Sequence, residues 1–151
     1  MHPGIKYVHT NLVARDWKKL AKFYVKVFGC KTKPPGRNLK GSWLDSLTTV
    51  KNAHAEGIHL ILPGYGKDGP TLEIFQYSPK AASAVPRVNR PGYGHIAFAV
   101  ENVKQALTKV KKYGGGSVGE MISTEIRGVG SMEVVYARDP ENNIIELQKW
   151  E

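Results

Sequence analysis

Hydrophobic and polar positions alternate and recur so as to divide the chain into two similar halves. Residues 5–13 are rich in β-branched and aromatic types and predict a strand. Apolar residues then recur at Trp17, Leu20, Ala21, Tyr24, Val27 and Phe28, the stripe of an amphipathic helix. Asp16 stands at its N-cap, and Gly29 just past its end supplies the left-handed turn that stops a helix. Cys30 to Lys33 predicts a short strand broken by Pro34-Pro35-Gly36. Residues 42–50 fit either a brief helix or a loop at an active site. Residues 57–62 and 71–77 read as strands joined by the glycine-rich loop 63–70. That loop has G-x-G-x-x-G spacing, but Pro70 leads into a strand, whereas a dinucleotide fingerprint must open a helix.

The second half repeats this grammar. A strand begins at His95, and Asn102 caps a helix with Val103, Ala106, Leu107, Val110 and Tyr113 inward. Gln105 completes a capping box. Gly114-Gly115-Gly116 ends that helix, and strands are expected near 117–126, 131–137 and 143–150, the last two joined by a turn at 139–143. His9 and His95 each precede their capping residue by seven positions. The closing strands also match: 71–77 and 144–150 each carry a glutamate third and an aromatic seventh. The fold class is therefore α+β, two βαβββ modules forming a curved mixed sheet around a cleft. Residues 1–78 make the first module, 79–91 a proline-rich linker, and 92–151 the second.

Composition narrows the function classes. At 151 residues and 41% hydrophobic content the chain builds one ordinary domain or two small modules. No apolar run approaches the roughly 18 residues that span a bilayer, and residues 1–6 show no signal-peptide core. The single cysteine, Cys30, forms no internal disulfide, which makes the cytoplasm the expected compartment. The net charge is +9. Lys18, Lys22 and Lys26 recur on the polar side of one helix, as do Lys104, Lys111 and Lys112 on the other. The remaining cations fall mainly in loops, where they draw in a small anionic substrate by long-range attraction. No helix-turn-helix, zinc finger or aromatic-basic strand signature supports nucleic acid as a partner.

Strand alternation assigns the candidate chemistry to one face. In the strand of His95, Ile96, Phe98 and Val100 form the row beneath the helix, leaving His95 with Ala97 and Ala99 opposite. Leu72 and Ile74 flank Glu73, Ile145 and Leu147 flank Glu146, and Val8 and Leu12 take that part for His9. Two imidazoles and two carboxylates at repeat-related positions predict one divalent ion, with zinc, nickel, cobalt, iron or manganese all suited to the donors. His59 is open between a substrate contact, a substitute ligand and an ordinary strand residue. His2 and His54 carry no signal.

Paired modules with His…Glu…His…Glu resemble the vicinal oxygen chelate superfamily of glyoxalases, bleomycin-resistance proteins and extradiol dioxygenases. The most specific pieces are His9-Thr10, Phe23-Tyr24, Phe28-Gly29, Gly94-His95-Ile96-Ala97, and Asp139-Pro140 ahead of Ile145-Glu146-Leu147. All are similar to bacterial glyoxalase I. The resemblance implies metal ligands at His9, Glu73, His95 and Glu146, with Glu146 or Glu73 as general base. It also implies a homodimer and a metal-dependent lyase or isomerase that takes a proton from beside a carbonyl. It further implies a thiol adduct or a CoA thioester as the substrate type. Arg127-Gly128 resembles that enzyme's later anion-binding loop, whereas segment 37–56, with Trp43, has no counterpart there; Arg127, His59 and Trp43 are the substrate-binding candidates. The family's early glutathione-holding arginine corresponds here to Val13, which argues against glutathione itself. The alternatives are an extradiol-type dioxygenase and a non-catalytic drug-binding resistance protein.

Overall fold

The computed structural model describes residues 4–151; residues 1–3, with His2 and the start of the segment read for a signal peptide, lie outside the described residues. Two compact units divide between Ala82 and Ser83, inside the 79–91 segment. Among the described residues, three helices and nine strands in two mixed sheets give an α+β fold.

In the N-terminal unit, β1 (His9–Val13) leads into α1 (Trp17–Phe28), β2 (Lys31–Lys40), α2 (Ser42–Thr48), β3 (His54–Ile61) and β4 (Thr71–Ser78). The sheet order is β1-β4-β3-β2, with β1 parallel to β4 and the other pairs antiparallel. Asp16 accepts a hydrogen bond from the Lys19 amide at 3.0 Å, and Gly29 turns the chain at φ 71°. Such a cap stabilises a helix by about 1 kcal/mol. α1 buries Leu20, Ala21, Tyr24 and Val27 as the stripe requires, and Phe23 as well. Leu60, Leu72 and Ile74 of the sheet are buried too. Lys18, Lys22 and Lys26 stay exposed.

Two expectations are corrected here, for β2 and for Val8, and the alternative left open over 42–50 is settled. The strand after Cys30 does not stop at Pro34-Pro35-Gly36; β2 runs ten residues through them. It is an edge strand, where proline costs no central ladder bond, and its register shifts between Lys33 and Arg37 so that the prolines fall in a bulge. Segment 42–50 resolves to the helix α2, whose Leu44 packs with Ala53, Ala55 and Phe75. Val8 is 61% exposed and does not share with Leu12 the job of seating β1 on the core.

The C-terminal unit repeats the plan with β5 (His95–Ala99), α3 (Val103–Lys112), β6 (Gly116–Ser117), β7 (Ile122–Ile126), β8 (Gly130–Arg138) and β9 (Ile144–Trp150). Its order is β5-β9-β8-β6, with β7 also paired to β8, and β5 is parallel to β9. The strand expected over 117–126 is thus two short ones, separated by residues 118–121. Asn102 accepts from the Gln105 amide at 2.8 Å. Gly115 is required sterically, since a Cβ there would sit 2.2 Å from the Arg138 carbonyl oxygen. Asp139, 2% exposed, accepts from the amides of Glu141 and Asn143 and from the Asn143 side chain, which pins the β8–β9 turn. Arg138 donates to the carbonyls of Asn142 and Pro86, tying the proline-rich segment to this unit.

Candidate functional site

Register places the candidate residues of the N-terminal unit side by side. Glu73 on β4 lies opposite Asn11 of β1 and opposite His59 of β3, and His9 is one pleat away opposite Thr71. Phe75 and Tyr77 continue the same face, where Phe75 packs with Leu44, Ala53 and Ala55 and Tyr77 packs against that cluster. Gly57 makes room for this wall: a Cβ there would stand 2.6 Å from the Phe75 ring.

Glu73 is 9% exposed and fully engaged. Its Oε1 accepts from the Asn11 side chain at 2.9 Å and lies 3.4 Å from His9 Nε2. Its Oε2 lies 2.6 Å from His59 Nε2. The other His59 nitrogen, Nδ1, is 2.8 Å from the Thr71 hydroxyl. A carboxylate only accepts, so Nε2 carries the proton in this arrangement and the Thr71 hydroxyl donates to Nδ1. Burial pushes His59 below the ordinary histidine value, with Arg37 and His9 adding to the effect and Glu73 opposing it. His59 is therefore neutral at pH 7. Burial, with Glu73 nearby, raises the Tyr77 hydroxyl.

The donor atoms of His9, His59 and Glu73 lie within 4.8 Å of one another. Two imidazoles and a carboxylate suit a divalent transition metal. Ligands about 2.1 Å from such an ion, at right angles, stand roughly 3 Å apart. The 3.4 Å His9–Glu73 separation is close to that value, and His59, 2.6 Å from Glu73, joins as a donor only by giving up its Nε2 proton.

The C-terminal unit carries a second, smaller copy. His95 Nε2 is 2.8 Å from Glu146 Oε2. Tyr136 is opposite Glu146 on β8, and its ring centroid is 4.9 Å from that of His95. Register makes Tyr136 the counterpart of His59, and Ala97 the counterpart of Asn11. Glu146 thus has fewer partners than Glu73. As expected from alternation, His95, Ala97 and Ala99 are exposed in the unit, whereas Ile96 and Phe98 are partly covered.

The other candidates are more scattered. Arg127 is exposed in the β7–β8 turn. Tyr136 lies six residues along β8 from Gly130, where that turn closes, roughly 20 Å away. Trp43 is 53% exposed on α2. His54 Nε2 lies 2.6 Å from the Asn38 side-chain oxygen. Sequence reasoning missed Asn11, Thr71 and Tyr136. Their signal lies only in the cross-strand register, which a single strand pattern does not contain.

A family model described as "Glyoxalase/Bleomycin resistance protein/Dioxygenase superfamily" matches residues 6–147. The chain belongs to that superfamily. It is similar to the lactoylglutathione lyase of Escherichia coli O157:H7, 24% identical over 143 residues, covering 95% of this chain and 91% of that protein. The lactoylglutathione lyase of Schizosaccharomyces pombe is 26% identical over 155 residues; the match takes in 94% of this chain but only 46% of the yeast protein. These relatives support a glyoxalase-type function. Among solved structures, a glyoxalase family protein from Bacillus cereus matches with a TM-score of 0.83 at 19% identity, over 99% of this chain and 98% of that one. A fosfomycin resistance protein from Listeria monocytogenes matches with a TM-score of 0.61 at 18% identity, over 100% and 96%. These two likenesses are of fold. Among the described residues no helix is long and apolar enough to cross a membrane.

Proposed function

We propose that this chain is a divalent-metal-dependent lyase or isomerase of the glyoxalase type, acting on a small anionic substrate. His9, Glu73, His95 and Glu146 are its metal donors, and a homodimer belongs to the same proposal. The observation that carries it is the recurrence of one histidine–glutamate pair at equivalent register positions of both sheets. A bound divalent ion would polarise a carbonyl and stabilise negative charge on its oxygen as the neighbouring carbon loses a proton.

The chain's own residues divide the remaining work. Glu73 is held by Asn11 and His59 and is the fixed carboxylate. Glu146, whose one side-chain partner among the described residues is His95, is freer to swing and is the general base. It takes the proton from one carbon and returns it to the same or the adjacent one. Neutral His59 keeps Glu73 oriented by donating to it, with Thr71 fixing the ring.

Methylglyoxal–thiol adducts and acyl-CoA thioesters, incubated with the metal-loaded protein in D₂O, test this. Exchange at the carbon beside the carbonyl is expected for at least one of them, slowed roughly 10²–10⁴-fold in Glu146→Gln. No exchange across both classes contradicts the reading.

The His9–His59–Glu73 grouping favours a second reading, because two histidines and one carboxylate also make the donor set of non-haem iron oxygenases. Iron copurifying with the protein and oxygen consumption with catechols would select it.

A further inference from the structure

Beside the candidate metal donors, the N-terminal unit holds a cavity of about 340 Å³. Lys6 ahead of β1, Lys33 and Arg37 on β2, His59 and Thr71 line it, with Asp68 from the β3–β4 loop. The volume suits part of a small molecule. Three cations against one carboxylate leave two positive charges in excess. Among the described residues none of the three cations forms an ion pair.

The cavity is built by the irregularity in β2. Lys33 pairs with His59 and Arg37 with Gly57, so four residue steps on the edge strand span two on β3. Such a bulge re-aims side chains. Arg37 then donates through Nη1 to the Pro35 carbonyl at 2.6 Å, which fixes its planar fork and leaves its other N–H groups for a ligand. Lys33, opposite His59 on the adjacent strand, brings an ammonium to the same wall.

We propose that this cavity seats a dianionic, phosphate-type oxyanion on the substrate, gripped chiefly by Arg37 and Lys33. Two excess charges match a dianion better than a single carboxylate, and a guanidinium fork bonds two oxygens of one anion at once. His59 and Thr71 line the cavity and also contact Glu73 or each other, so the anion lies one side chain away from the candidate metal donors. The assignment rests on the reading of these donors as a substrate-processing site, and it names the substrate class: small molecules with a phosphate-type group near the reacting carbonyl.

The test titrates inorganic phosphate into the metal-stripped full-length protein at constant ionic strength, followed by calorimetry and by amide NMR shifts. Saturable binding is expected, with shifts at Thr71 and Gly69. Arg37→Gln should weaken it roughly tenfold or more, and Lys33→Gln about threefold. Asp68→Asn should tighten it about twofold, and Lys18→Gln, on the outer face of α1, should leave it unchanged. Lys33 and Asp68 are exposed, so their variants report even if Arg37→Gln fails to fold. Absent phosphate binding, or equal binding by wild type, Lys33→Gln and Asp68→Asn, overturns the assignment. Metal uptake measured in parallel separates the two ideas. Metal binding without a phosphate site rejects only the anion seat, and phosphate binding without metal uptake rejects the metal reading beneath it.

Discussion

His59→Gln isolates the part of the site that sequence reasoning left undecided. The substitution removes the 2.6 Å contact to Glu73 and the 2.8 Å contact to Thr71, and replaces a ring held at both nitrogens with a flexible amide. A hydrogen bond to a charged group contributes about 1.5–3 kcal/mol. Losing a group that orients a metal ligand costs about 10–100-fold in affinity, which is about 1.4–2.7 kcal/mol. The two figures agree, so most of the lost bond energy should appear as weakened metal binding. Competition against a chromogenic chelator, with zinc, nickel and cobalt in turn, should show Kd rising about 10–100-fold. Stoichiometry at saturating metal should not change. Thr71→Val removes only the Nδ1 partner, and its effect should be a few-fold. An unchanged Kd in His59→Gln would refute the orienting role. Complete loss of metal at saturation would instead make His59 a direct donor and favour the oxygenase-like reading.

Two further outcomes follow from packing and burial. Burial raises the Cys30 thiol from 9.0 to about 11. The unfolded thiol therefore ionises first as pH climbs, so stability is full below pH 9 and falls through pH 11 by roughly 2–3 kcal/mol; Cys30→Ala should flatten that slope in denaturant titrations. Gly57→Ala would push a Cβ to 1.9 Å from the Ile74 carbonyl oxygen, whereas a Cβ at Gly119 meets nothing within 4 Å. The first should cost roughly 3 kcal/mol or abolish folding, and Gly119→Ala should leave Tm within a degree or two.

Local signals made much of the fold legible. Asp16, Gly29 and the Leu20–Tyr24–Val27 stripe mark α1 because capping and 3.6-residue periodicity are written in adjacent residues. Alternation put His9, Glu73, His95 and Glu146 on definite faces for the same reason. Comparing the two halves showed that each repeat brings its own histidine and glutamate, whereas the contact within each pair is set by the strand pairing. What was hidden depends on partners far along the chain. β2 continues through Pro34-Pro35-Gly36 because it is an edge strand with a bulge, and nothing local says which strand lies at an edge. His59 and Tyr136 occupy equivalent places although their identities differ, and only antiparallel register reveals it. Val8 looked like core by parity, but it precedes β1 and lies exposed, where parity has no partner to act on.

The central claim is that two histidine–glutamate pairs, one from each repeat, are the metal donors. Elemental analysis of the purified protein and of Glu73→Ala, His95→Ala and His59→Gln tests it most directly. The account predicts a divalent transition metal in the wild type, its loss from Glu73→Ala and His95→Ala, and its retention by His59→Gln when metal is supplied in excess. Metal content unchanged in His95→Ala would contradict it.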